Sequence, residues 1–347
     1  MKPSQVMEAI KACYAADISP FIRGRPGIGK SDLVYQCSLD MGIGFKDLRL
    51  VTMEPVDLRG IPFNDPVTGA TRWPGPDMLP TEQSMERDGP KGLIHFDELV
   101  SAPPSVQAAC YPVFFANAGS RRLGEQILTA GWLPIASGNN LSDRGVVFRM
   151  PTPLADRVCF LEMEADFDDW VVWAQDNDIN YKVIAYLRFD TSNFEAFDPN
   201  LEVSPTPRSW AQVSRLVDLG LNKGLARQMY AGKLGEGVAS QFVAFEDIAD
   251  SLPPADEVLK NAKTYKLPYV DKQPEVVYAL CGALAHRCTV QNIDKIITIG
   301  ERFSSSDGKQ AVSFSVMMLR DCHNRCPKIM ETQAMRDYAQ KYQELLI

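Results

Sequence analysis

The sequence predicts an α/β protein: a parallel sheet covered by helices on both faces, followed by a region that is helical throughout. Three observations carry this reading. Gly24-Arg25-Pro26-Gly27-Ile28-Gly29-Lys30-Ser31 is a complete G-x-x-x-x-G-K-[ST] loop, set between an apolar stretch and a helical one. Two further short apolar segments, Leu93 to Phe96 and Trp132 to Ala136, each run into polar residues, as buried strands do at a functional sheet edge. Beyond residue 165 the apolar positions recur at helical spacing.

Taken in order, Ile18-Ser19-Pro20-Phe21-Ile22 reads as a strand, and Ser31 to Leu39 as a helix burying Leu33, Val34 and Cys37. Between them, three glycines allow a turn tight enough to aim backbone N–H groups inward at a triphosphate. Lys30 then reaches the outer phosphates, the Ser31 hydroxyl is a ligand for Mg²⁺, and the helix adds its positive end. A chance match to such a loop is expected on the order of once per hundred chains of this length, so the flanking strand and helix are what make it specific.

Leu93-Ile94-His95-Phe96-Asp97-Glu98 is a buried strand ending in two carboxylates. At the carboxyl edge of a parallel sheet it faces the same crevice as the loop. Asp97 is placed to hold the metal and Glu98 to polarise the attacking water. His95 reads as a packed neighbour in this strand. The next strand ends at Ser137-Gly138-Asn139-Asn140, where Asn139 can bond the water or the terminal phosphate. Gly-Asn-Asn is also good turn chemistry, so a plain cap competes with that role. Further on, Thr206 fits a helix N-cap, Pro207 the first helical position and Arg208 the first turn. A cation there opposes the helix dipole, which favours an anion nearby, against the simpler reading of a solvated side chain.

With these residues in view, the chain resembles AAA+ ATPases of the MoxR type. The resemblance rests on Gly24 to Ser31, Val56-Asp57-Leu58-Arg59-Gly60, and Asp97-Glu98 with Ala102-Pro103-Pro104-Ser105-Val106-Gln107. It continues through Ala136 to Asn140, Leu154-Ala155-Asp156-Arg157 and Pro205-Thr206-Pro207-Arg208, covering residues 5 to 220. It implies ATP and Mg²⁺ as cofactors, a nucleotide-contact set running from Gly24 to Asp32, and metal contacts by Ser31 and Asp97. It further implies Asn139 as first sensor, Arg157 as arginine finger and Arg208 as second sensor. Two departures stand out: Asn139-Asn140 where the family often has Asn-Pro, and Leu99-Val100-Ser101 where it often has Asn-Arg.

The resemblance also organises the chain. Residues 1–164 are expected to form the core, 165–250 a helical lid and 251–347 a further helical region after the Pro253-Pro254 break. The proline-rich stretch 54–80 and residues 119–131, with Arg121-Arg122, resemble hairpin insertions on one face of a ring; otherwise they are long surface loops. A homo-oligomeric ring, a hexamer, is implied, as is a protein partner, such as one with a von Willebrand factor A domain.

Composition narrows the function classes. The chain has 347 residues, 45% hydrophobic and 23% charged, as a multi-domain globular protein does. Its formal net charge of −8 argues against a non-specific nucleic-acid binder, and no apolar leader or spanning run is present, so a cytoplasmic protein is expected. The eight cysteines then read as free thiols. Cys281, His286, Cys288, Cys322, His323 and Cys326 lack C-x-x-C spacing, and core packing is favoured over zinc. The expected function is an ATP-hydrolysing ring that remodels a protein partner. A nucleic-acid translocating motor and an ATP-dependent binding switch are the alternatives.

Overall fold

The computed structural model describes residues 1–73, 77–143 and 147–342. Pro74 and Pro76 of the first insertion, Arg144 and the end of the C-terminal amphipathic stretch lie outside the described residues. Two compact units divide the chain, Met1–Asp166 and Phe167–Ile347.

The first unit opens with helix α1 (Pro3–Ala16), which closes at Asp17, a left-handed C-cap at φ 56°. Strand β1 (Pro20–Arg23), helix α2 (Lys30–Met41) and strand β2 (Gly44–Arg49) follow. Next come α3 (Pro55–Arg59), the hairpin β3 (Phe63–Asn64) and β4 (Thr71–Arg72), α4 (Met85–Asp88), and β5 (Gly92–Asp97). After α5 (Pro104–Cys110), a second hairpin pairs β6 (Arg122–Leu123) with β7 (Gln126–Ile127). The unit ends with β8 (Trp132–Gly138), α6 (Thr152–Ala155) and β9 (Cys159–Glu162).

Five strands form one parallel sheet in the order β2-β5-β8-β1-β9. This is the expected α/β class, with a phosphate-loop sequence leaving the carboxyl end of β1. Because β1 sits between β8 and β9, the chain leaves it for the far edge and works back. The strand order therefore reverses beside β1, the place where open α/β sheets bind ligands.

Alternation along β5 sorts the layers. Leu93 faces a core built with Ile22, Leu33, Val34, Cys37, Leu133 and Ile135, which docks α1 and α2. Ile94 and Phe96 face the opposite core, shared with Val106, Cys110, Phe114 and Leu123 on the α5 side. The strand read as starting at Ile18 begins at Pro20, and Ile18 is 47% exposed. The strand read as ending at Ala136 runs on to Gly138, which brings Ser137 into the sheet.

The second insertion corrects one expectation. Arg122 is exposed on the hairpin, but Arg121 is 1% exposed and structural. Its Nη1 donates to Asp17 Oδ1 at 2.6 Å, Nη2 to the Asp17 carbonyl and Nε to the Phe115 carbonyl at 2.9 Å. It ties the left-handed end of α1 to the hairpin's base. Arg121→Glu should therefore cost about 3–5 kcal/mol in a denaturant titration, by stranding a buried charge against Asp17. Arg122→Glu should stay within about 0.5 kcal/mol of the wild type.

The second unit is helical, as expected. Helices α7 (Phe167–Asp176), α8 (Tyr181–Phe189), α9 (Pro207–Asp218), α10 (Lys223–Leu234) and α11 (Glu236–Ser251) come first. Tyr186, Trp210, Tyr230, Phe242 and Phe245 form an aromatic cluster joining α8 to α11. Beyond Pro253-Pro254 lie α12 (Ala255–Lys260), α13 (Pro274–His286), α14 (Ile293–Gly300), α15 (Val312–Arg325) and α16 (Gln333–Lys341). Cys281, Cys288 and Cys322 are buried in the apolar core of these helices, with Cys326 at its margin.

Candidate functional site

Three adjacent strands end at the same edge of the sheet. Arg23 of β1 is level with Gly138 of β8, and Phe96 of β5 is level with Ala136. The loop 24–29, the carboxylate pair and Asn139 therefore emerge side by side. Gly27 and Gly29 adopt φ of 79° and 92°, left-handed values that cost a side chain about 1 kcal/mol or more. At Gly24 a Cβ would lie 2.5 Å from the Met163 carbonyl oxygen, so the loop can pass there only as glycine. Gly29 is also the N-cap of α2, so the helix's first N–H groups open onto the loop.

Lys30 is 8% exposed and turned into the loop. Its ammonium donates to the carbonyls of Gly24 at 2.7 Å and Arg25 at 2.8 Å, and to Asn139 Oδ1 at 2.9 Å. These three acceptors position the ammonium inside the loop. The Asn139 side chain, read from sequence as either a cap or a sensor, meets the loop lysine. Ser31 Oγ donates to Asp97 Oδ2 at 3.1 Å, joining the start of α2 to the end of β5. Arg25 and Asp32 are exposed, the latter in the first turn of α2 where the dipole favours an acid.

Glu98 adopts φ 57°, a conformation that is unfavourable for a glutamate. The turn is held from several sides: Glu98 N–H bonds Asp97 Oδ1 at 3.0 Å, Leu99 N–H bonds the Ser137 carbonyl, and the Glu98 carbonyl accepts from Ser101 and Ala102. Strain fixed in this way, beside Asp97 and Ser137, makes Glu98 a candidate working residue.

Arg157 lies elsewhere. It precedes β9, whose first residue pairs with Pro20 at the start of β1, whereas the loop leaves β1 at the other end. About 13 Å of strand, at ~3.3 Å per residue, separates it from its own loop. Its guanidinium stacks over Phe115 at 5.3 Å and donates to the Pro153 carbonyl. Arg208 belongs to the second unit, exposed in the first turn of α9. Thr206 and Ser209 form a reciprocal capping box there, with Pro207 at the first helical position.

Sequence reasoning missed two residues, Ser137 and Asp47, and read a third, His95, only as a packed neighbour. Ser137 Oγ donates to Asp97 Oδ1 at 2.5 Å, and His95 bridges Ser137 at 3.0 Å and Asp47 at 2.8 Å. His95 is packed, as expected, yet polar-bonded at both ends. Burial alone would raise the Asp47 carboxyl, but the His95 hydrogen bond and charge, with Arg49 nearby, hold it below the ordinary carboxylate range.

The residues fit a nucleotide triphosphate with Mg²⁺. A glycine cradle, an inward ammonium, a helix N-terminus and paired hydroxyl and carboxylate oxygens are the donor set that hard cations and phosphates require. Among the described residues no group of three or more His, Cys, Asp or Glu side chains could hold a metal ion by itself.

No family model and no curated protein matches the chain. A solved structure, that of a protein described as a "putative ATPase" from Cytophaga hutchinsonii, is similar at 9% identity with a TM-score of 0.35, covering 98% of this chain and 88% of that one. A similarity this low carries no argument about what the chain does. Among the described residues no helix is long and apolar enough to cross a membrane.

Proposed function

We propose that the chain is a Mg²⁺-dependent ATPase whose hydrolysis drives remodelling of a protein partner within a ring of identical subunits. The observation that carries the ATPase reading is the convergence of Lys30, Ser31, Asp97, Glu98 and Asn139 at one sheet edge. Lys30 and the loop N–H groups would hold the phosphates, and Ser31 with Asp97 would hold Mg²⁺, which when bound neutralises phosphate charge. Glu98 polarises the attacking water and accepts its proton, while Asn139 orients the water or the terminal phosphate.

Ring assembly is supported by Arg157. From the amino end of the sheet it is better placed for a neighbour's nucleotide than for its own, and head-to-tail contacts of that kind close into rings. A hexamer is the size that the AAA+ resemblance implies. Partner engagement is supported by the β3–β4 hairpin, where Ile61, Phe63 and Val67 are 69%, 56% and 91% exposed. An isolated two-stranded ribbon with apolar side chains in water is marginal unless something covers it. A partner with a von Willebrand factor A domain is the kind that the resemblance suggests. The acidic balance favours a protein over a nucleic-acid track.

The test is phosphate release by purified wild-type protein. ATP turnover with Mg²⁺ and none with EDTA is expected; absence of turnover at every protein concentration that allows assembly would leave only a nucleotide-binding switch.

A further inference from the structure

A row of polar side chains crosses the sheet beneath the loop. Asp47 on β2 stands directly opposite His95 on β5, and His95 stands opposite Ile135 on β8. Period-two alternation puts Asp97 on the same face as His95, and Ser137 on the same face as Ile135. Four residues from three strands thus share one face. His95 and Ser137 are fully buried, and Phe45 packs along the imidazole at 6.3 Å between ring centres.

Hydrogen-bond counting gives the row a direction. The single Ser137 proton goes to Asp97 Oδ1, at 2.5 Å, and His95 Nδ1 lies within hydrogen-bond distance of Asp47 Oδ1, at 2.8 Å. Ser137 Oγ must then accept from His95 Nε2, at 3.0 Å. Both ring nitrogens are thus engaged, Nε2 with Ser137 and Nδ1 with Asp47. With its lone pair engaged by His95, the Ser137 hydroxyl stays turned toward Asp97. Asp97 Oδ1 is thereby fixed, and Oδ2 is left facing Ser31 Oγ.

We propose that His95 is a positioning residue for the metal site: acting through Ser137, it sets the carboxylate plane of Asp97 so that one oxygen is presented beside Ser31, where the Mg²⁺ of a bound nucleotide would lie. The proposal rests on the ATPase reading. Outer hydrogen bonds of this kind commonly change metal affinity about 10–100-fold when removed.

The experiment is calorimetric titration of the non-hydrolysable analogue AMP-PNP, once with Mg²⁺ and once with EDTA, into full-length wild type, His95→Phe, Ser137→Ala and the double variant. In wild type, Mg²⁺ tightens binding. That enhancement should fall about tenfold in each single variant, with EDTA affinity unchanged within about twofold. The double variant should lose no more than Ser137→Ala, because the two residues act in series. If His95→Phe does not fold, Asp47→Ala at the outer end of the row serves instead, with an expected loss of about threefold in the enhancement. An unchanged enhancement, an equal loss with and without Mg²⁺, or additive losses overturns the proposal. Wild type that binds no AMP-PNP under either condition overturns the ATPase reading itself.

Discussion

Replacing Glu98 by Gln should leave ATP binding within about twofold of wild type while slowing hydrolysis by about 10²–10⁴-fold, the usual worth of a positioned general base. The separation is expected because the ATPase reading gives Glu98 and Lys30 different work. Lys30 lies inside the loop and bears on phosphate charge, whereas Glu98 stands at the strand end on a left-handed backbone. Gln preserves the shape and the turn, which is held by backbone bonds from Leu99, Ser101 and Ala102. Only the capacity to accept a proton is removed. Single-turnover phosphate release and equilibrium nucleotide binding, measured on the same preparation, separate the two effects. Hydrolysis at the wild-type rate would remove Glu98 from the chemistry, and parallel loss of binding would make it structural.

Arg157→Ala is expected to bind ATP normally and to lose about 10³-fold or more in hydrolysis, the scale of an arginine finger. Charge building on the transferred phosphoryl group needs a cation beyond Lys30 and Mg²⁺. Arg157 cannot provide it to its own site from the amino end of the sheet. Mixing Arg157→Ala subunits with Lys30→Ala subunits should therefore restore part of the activity, since some interfaces then pair an intact loop with an intact arginine. Mixed assemblies that stay inactive at every ratio would rule out a trans role for Arg157. Arg149, which is exposed, and Arg144, which lies outside the described residues, would then be the arginines to replace next.

What was legible in the sequence was local. The phosphate loop, the helix after it, and the strand ending in Asp97 and Glu98 are each written in one continuous segment, where glycine spacing and apolar periodicity suffice. The N-cap at Thr206 was legible for the same reason, though not its reciprocal bond with Ser209. What was not legible depends on register between strands. Nothing in the segment around Asp47 says that it will stand opposite His95, nor does anything near Ser137 announce Asp97 as its partner. Alternation on β5 does put His95 and Asp97 on one face, the single clue that could have flagged the histidine. Arg121 was misread by analogy with exposed hairpin cations. Its burial follows from acceptors supplied far away in sequence, the Asp17 carboxylate and carbonyl among them.

The central claim is that Lys30 and the surrounding loop form a site for the phosphates of Mg²⁺–ATP. Isothermal titration of Mg²⁺–ATP into wild type and Lys30→Ala tests it most directly, with circular dichroism to show that both are folded. Saturable binding to wild type, weakened by about a hundredfold or abolished in Lys30→Ala, is the result expected when a buried ammonium–phosphate contact is lost. Equal affinity in the two folded proteins would contradict the assignment of the loop, and with it the ATPase reading.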